Sequence, residues 1–245
     1  FKSKGSYLFD YDDDTTSTGL SDILKNRVTF IIAEPGQGKT RLIEELEGLY
    51  ENARKIDFRT KLPGQNLDSW LRFNNIHDDT DIILLDGLDE SPSRDIIETI
   101  GGLVYHIKRH PKCTYVISSR IHYFSKYQNI FRGIPDVHYL LINPLGSHEA
   151  KKFLEQIGVK TSVVRTLFNS LPYGHTGDSS ILQNPRYLEI IAKELEDENF
   201  NVEDLNRSML FASLVNKELL NEDEKSGRQL AELKQRLDRK STRLN

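Results

Sequence analysis

Apolar positions along this chain follow two rhythms that take turns. Val28-Thr29-Phe30-Ile31-Ile32-Ala33 is a β-branched and apolar run that reads as a strand, and Ile82-Ile83-Leu84-Leu85 is a continuous aliphatic run, the pattern of a strand buried on both faces. Between them Leu42, Ile43, Leu46, Leu49 and Tyr50 recur at helical spacing. The alternation continues with a weak strand over 55–58 and a short helix over 67–73. Ser91 is placed to cap, and Pro92 to enter, a helix whose Ile96, Ile97, Ile100, Leu103, Val104 and Ile107 face the sheet. Strands follow over 114–117 and 138–142. A helix after Ser147 then presents Ala150, Phe153, Leu154 and Ile157 on one face. Strands and helices in alternation predict an α/β fold, a parallel sheet flanked by helices. Past residue 160 the strand pattern stops, and 163–171, 185–195 and 205–220 all read as helices of an all-α domain. A boundary near 157–162 follows, with a polar lead-in over 1–25 that carries a short helix near 20–24, an α/β core over 26–160 and a helical region over 161–237.

Composition narrows the classes. With 33 basic against 37 acidic residues, the net charge of -4 supplies no global cationic field, so nucleic acid is not an expected partner. No apolar run approaches the roughly 20 residues of a membrane-spanning helix. The single cysteine, Cys113, has no internal disulfide partner, and no Cys/His spacing of a metal site is present, which fits a reducing cytoplasm. The chain starts at Phe1 without an initiator Met or a signal h-region, so a fragment of a longer protein is expected. Residues 225–245 are rich in Lys and Arg, a pattern open to an interaction arm or a solvated run. The last eight, 238–245, resemble one reading frame of a sequencing adapter and are expected to be non-native.

Three motifs carry chemistry. Glu34-Pro35-Gly36-Gln37-Gly38-Lys39-Thr40 follows the first strand, opens a helix and matches the core of a phosphate-binding P-loop, with Arg41 directly after it. Gly36 and Gly38 let backbone N–H groups turn inward around phosphates, and the helix adds its N-terminal dipole. Lys39 is the mobile cation for the β/γ-phosphates and Thr40 a Mg²⁺ ligand. The pattern asks for Gly at 33, where this chain has Ala33. The second motif, Asp86-Gly87-Leu88-Asp89-Glu90, ends the strand 82–85, so Asp86 reaches the carboxyl edge of the sheet as the acid that holds Mg²⁺ through water. In many P-loop ATPases a Glu follows that Asp directly. Gly87 stands here instead, so Asp89 or Glu90 is expected to orient or deprotonate the attacking water. Third, Ser118-Ser119-Arg120 closes another strand, which brings Arg120 to the same edge as a sensor of the γ-phosphate.

Asp86-Gly87-Leu88-Asp89-Glu90 with Ser119-Arg120 downstream resembles the signature of NACHT domains, in the STAND class of P-loop signalling ATPases. Asn143-Pro144-Leu145-Gly146-Ser147-His148-Glu149-Ala150 is similar to the strand and helix that follow the sensor, and Asn184-Pro185-Arg186-Tyr187-Leu188 to the helical-domain proline motif. Residues 205–225 are similar to the approach to a winged-helix region. The resemblance implies an ATP/ADP-controlled switch with slow Mg-dependent hydrolysis, Pro185 packed near the adenine, and homo-oligomerisation in the ATP state. It further implies effector and sensor domains flanking this module, with roles in antiviral defence or innate immunity among those known for the class. A winged-helix histidine of the family has no counterpart, since His148 and His175 lie in other segments. The alternative is an AAA+-type motor or a DNA-transposition ATPase, against which Gly87 and the acidic charge both count.

Overall fold

In a computed structural model of the chain, the described residues are 19–76, 81–92, 96–131, 133–134, 136–170 and 181–195. The lead-in over 1–18, the helix expected over 205–220, the tail over 238–245 and His175 lie outside them. Helix α1 (Leu20–Ile23) precedes strand β1 (Val28–Ala33), every residue of which is buried. Helix α2 (Lys39–Leu49), β2 (Ala53–Asp57), α3 (Leu67–Phe73), β3 (Ile82–Asp86), α4 (Ile96–Arg109), β4 (Thr114–Arg120), α5 (Ile121–Phe131) and β5 (Val137–Leu141) complete the first unit.

The five strands form one sheet in the order β2-β3-β4-β1-β5, and every pairing is parallel. Two apolar layers cover it. On one face α1 and α2 supply Ile23, Leu42, Ile43 and Leu46 against Ile31, Leu84 and Val116. The other face packs α3, α4 and α5 through Leu67, Trp70, Leu71, Ile100, Leu103, Ile107, Phe124 and Phe131 against Phe30, Ile83, Leu85, Tyr115 and Ile117. Phe30 stands at the middle of that second layer, with ring centroids 4.6 Å from Phe131 and 5.3 Å from Phe124. Gly102 lets α4 lie close on α3: a Cβ there would come 3.2 Å from Leu67 Cβ. Neither Gly101 nor Gly102 breaks the helix.

Several local expectations change. Helix α5 has no counterpart in the pattern reading, because β4 passes into it at Arg120–Ile121 with no polar loop between. Strand β2 begins earlier than expected, at Ala53, and Phe58 opens a 3-10 turn instead of ending the strand. Ser91 closes a 3-10 turn over Leu88–Glu90 and Pro92 stands outside any element, so neither starts α4 as described. Helical phase puts Thr99 and His106 on the buried side of α4 and leaves Ile97 at 63% exposure. Leu49 and Ile157 also point outward, each at or beyond the last turn of its helix, where the packed face has ended.

The chain divides into two compact units, Phe1–Pro144 and Leu145–Asn245. That division falls ahead of the change at 157–162 read from the pattern. Helix α6 (Ser147–Gln156) explains the difference: its Ala150 and Leu154 pack with Val164 and Leu167 of α7 (Thr161–Ser170) and with Leu188 and Ile191 of α8 (Pro185–Glu194). Among the described residues the second unit is entirely helical. Pro185 takes the first turn of α8, and the Asn184 side chain caps it by accepting from the Arg186 N–H at 3.0 Å.

Candidate functional site

Parallel pairing brings the carboxyl ends of β1, β2, β3 and β4 to one edge, and the register makes the placement specific. Ala33 lies beside Arg120, and Asp57 beside Asp86. The segment after β1 turns sharply through Gly36 (φ 82°) and Gly38 (φ 91°), left-handed conformations that favour glycine. Gln37 is buried, and its side-chain carbonyl accepts the Glu34 N–H at 3.1 Å, tying the loop to itself. Pro35 is exposed at the tip. Gly38 is the N-cap of α2 and has no side chain to cap it, so the first-turn N–H groups face outward without intrahelical partners.

Lys39 folds back over this loop. Its Nζ donates to the carbonyls of Ala33 at 3.1 Å and Glu34 at 3.2 Å. Burial pushes its pKa below the ordinary lysine value; Asp89 opposes that shift, Arg120 adds to it, and Glu90 and Asp86 oppose it. The Thr40 side chain is exposed and makes no hydrogen bond among the described residues. Arg41 lies back along α2, 3.9 Å from Glu44 and 3.6 Å from Glu45, an exposed arrangement worth little energy. Ala33, where the P-loop pattern asks for Gly, is the fully buried end of β1.

Asp86 ends β3 and is 3% exposed. Ser118, fully buried on β4, donates to Asp86 Oδ1 at 2.5 Å and accepts the Gly87 N–H at 2.8 Å. Gly87 itself takes φ 70°, which bends the chain from the strand into the turn that carries Asp89 and Glu90. Ser118 is therefore the strut of the acidic motif. The sequence pattern ends the strand at 117, with Ser118 just past it, and gives that serine no role; β4 runs on to Arg120, and a serine in a buried strand announces no partner from a distant segment.

Arg120 joins the second and third motifs. Asp89 Oδ1 accepts its backbone N–H at 2.9 Å, and Asp89 Oδ2 lies 2.8 Å from its Nε. Glu90 Oε1 accepts from its Nη2, also at 2.8 Å. The two carboxylates differ in freedom, since the Asp89 side chain is 5% exposed and that of Glu90 35%. Arg59, absent from the sequence-based set, approaches the far side of Glu90 from the turn after β2. Pro185 belongs to the second unit.

The donor chemistry at this edge suits Mg²⁺. That ion keeps most of its waters and takes one or two protein oxygens beside substrate phosphates, so no dense ligand cluster is required. Among the described residues no group of three or more His, Cys, Asp or Glu converges as a metal cage. Thr40 and Asp86 offer a hydroxyl and a carboxylate, and Asp86 Oδ2 makes no hydrogen bond among the described residues.

No protein-family model and no curated protein matches the chain. Solved structures do. A Signal Transduction ATPase with Numerous Domains (STAND) protein with a tetratricopeptide-repeat sensor, from Pyrococcus horikoshii, aligns at TM-score 0.51 and 17% identity over 81% of this chain and 31% of its own. A RuvB variant from Thermotoga maritima aligns at TM-score 0.51 and 11% identity, over 84% of this chain and 74% of its own. The chain spans about a third of the length of the STAND protein. With the parallel sheet and the glycine-bent loop ahead of α2, these likenesses define the fold as that of the P-loop NTPases. No helix among the described residues is long and apolar enough to cross a membrane.

Proposed function

We propose that this chain is the nucleotide-binding core of a NACHT-type switch of the STAND class, which binds Mg-ATP and hydrolyses it slowly. The observation that carries the reading is the clasp of Arg120 by Asp89 and Glu90 beside the P-loop, at an edge where Ala33 and Arg120 are register partners. Lys39 and Arg120 are both held by protein oxygens that a triphosphate can replace, carbonyls for the first and carboxylates for the second. Backbone N–H groups of the loop and of the first turn of α2 would cradle the phosphates.

Thr40 and Asp86 are the residues that would hold Mg²⁺, which supplies charge neutralisation across the β- and γ-phosphate oxygens when bound. In this reading Pro35, Gly36, Gln37, Gly38 and Arg41 border the phosphates. Glu90 takes the proton of the attacking water, and Asp89 fixes Arg120. Exchange of ATP for ADP then biases two conformations, with homo-oligomerisation in the ATP state.

Single-turnover hydrolysis of Mg-ATP, paired with an assay of nucleotide carried by the purified chain, tests the reading. Slow conversion to retained ADP is expected. A chain that binds ATP and never turns it over is a scaffold, and one with no nucleotide affinity overturns the assignment.

A further inference from the structure

We propose that Arg59 is a positioning residue for Glu90, holding that carboxylate at the site through an ion pair anchored by Asp57. The inference rests on the hydrolytic reading above. Asp57 ends β2 level with Asp86. Its Oδ1 accepts the Arg59 backbone N–H at 2.8 Å, and Arg59 Nε lies 3.0 Å from Oδ1 and 2.8 Å from Oδ2. Arg59 Nη2 donates to Oδ2 as well. Burial alone would raise the Asp57 pKa, yet the hydrogen bonds and charge of Arg59 bring it below the ordinary value. A planar guanidinium held by several contacts to one carboxylate has little rotational freedom left.

The same guanidinium reaches the site. Arg59 Nε lies 3.6 Å from Glu90 Oε2, while Glu90 Oε1 accepts from Arg120. Each oxygen of Glu90 thus faces its own arginine. Each arginine is also held by its own aspartate, Arg120 by Asp89 and Arg59 by Asp57, and the two differ in what lies beside them. Arg120 stands next to Ala33, ahead of the P-loop, where a γ-phosphate would draw it away from Glu90. Arg59 stays with Asp57. In the ATP state Glu90 would keep Arg59 as its remaining cation, and that contact would limit the rotamers from which it addresses water.

The test uses the 245-residue chain with Arg59→Ala, Arg59→Lys, Glu90→Gln and the Arg59→Ala/Glu90→Gln double variant. ATP affinity is read by calorimetry and hydrolysis under single-turnover conditions at saturating Mg-ATP. Arg59→Ala is expected to slow hydrolysis by about tenfold while Kd stays within about twofold. Arg59→Lys should recover part of the rate, because it keeps the charge without the fork. In the Glu90→Gln background Arg59→Ala should slow hydrolysis no further, since the group it positions is already gone. If Arg59→Ala folds poorly, Asp57→Asn loosens the anchor instead and is expected to give the same rate defect. A wild-type rate in Arg59→Ala, beside a slow Glu90→Gln, overturns this inference alone. So does an Arg59→Ala defect that persists in full in the Glu90→Gln background, or one that appears only as lost ATP affinity. A wild-type rate in Glu90→Gln overturns the assignment of the base, and the role of Arg59 with it.

Discussion

Lys39 donates to two carbonyls, which it would have to leave to meet a phosphate in the proposed reading, and its charge would decide whether that exchange is favourable. Lys39→Ala is expected to weaken ATP binding by at least about 1.4 kcal/mol, tenfold in Kd by calorimetry. Because burial lowers its pKa, the amine loses its proton at a lower pH than a free lysine, whose value is about 10.4. Phosphate binds the charged form. Affinity should therefore fall as pH rises through that depressed value, and Lys39→Arg, whose cation does not titrate there, should lose the dependence. A flat affinity profile for the wild type would remove Lys39 from the phosphate contact. Asp89 and Glu90, interchangeable on sequence alone, separate by environment. The Asp89 side chain is little exposed and spends both oxygens on the backbone and guanidinium of Arg120, whereas Glu90 is more exposed and bonds the guanidinium alone. Glu90→Gln is expected to bind ATP normally and to hydrolyse it about 10²-fold more slowly or worse. Asp89→Asn should act mainly on the placement of Arg120, with a smaller effect on single-turnover rate. Equal and unchanged rates in both variants would make the pair structural.

Between elements, one hydroxyl ties the carboxyl end of β3 to β4 beyond their shared ladder. Ser118→Ala removes the donor to Asp86 and leaves the Gly87 N–H without its acceptor, both in a buried setting. The loss of folding stability should be about 1–3 kcal/mol, measured as a lower urea midpoint at unchanged slope. Mg²⁺ dependence of ATP binding should shift to higher concentration as well, because Asp86 is no longer aimed; an unmoved Mg²⁺ titration would confine Ser118 to stability. Strands β1 and β3 were legible in the sequence because each is a nearly continuous apolar run, and so were the P-loop and the acidic turn, whose glycines and charges sit within a few residues of one another; β2, with Arg54 and Lys55 in its middle, was legible only in part. Helix α5 was not, since Arg120 passes to Ile121 without a turn residue, and its aromatic side chains suit a strand as well as a helix. Ser118 and Arg59 were hidden for a different reason. The partners of Ser118, and the Glu90 that Arg59 reaches, lie 31 or more residues away along the chain, and only strand order and register make them neighbours.

For the whole molecule, a switch requires two states that nucleotide distinguishes by contact. Arg120 supplies the candidate difference: bound to Asp89 and Glu90 in this structure, it would turn to the γ-phosphate when ATP arrives and return when the phosphate leaves. A block of hydrolysis should then hold the chain in its ATP state. Glu90→Gln with Mg-ATP is expected to shift toward a higher mass by light scattering, the wild type to do so transiently, and Lys39→Ala to remain at the ADP-state mass throughout. Duplex DNA provides the opposing arm. A net charge of -4 gives no global attraction for phosphodiesters, so the switch reading expects weak binding that fades with salt. The motor reading expects sub-micromolar binding at physiological salt, coupled to ATP. If Glu90→Gln with ATP keeps the mass of the ADP form and also binds DNA tightly, after removal of residues 238–245, the chain works on nucleic acid. If its mass rises and DNA has no effect, ATP is driving self-association, as a STAND-type switch requires.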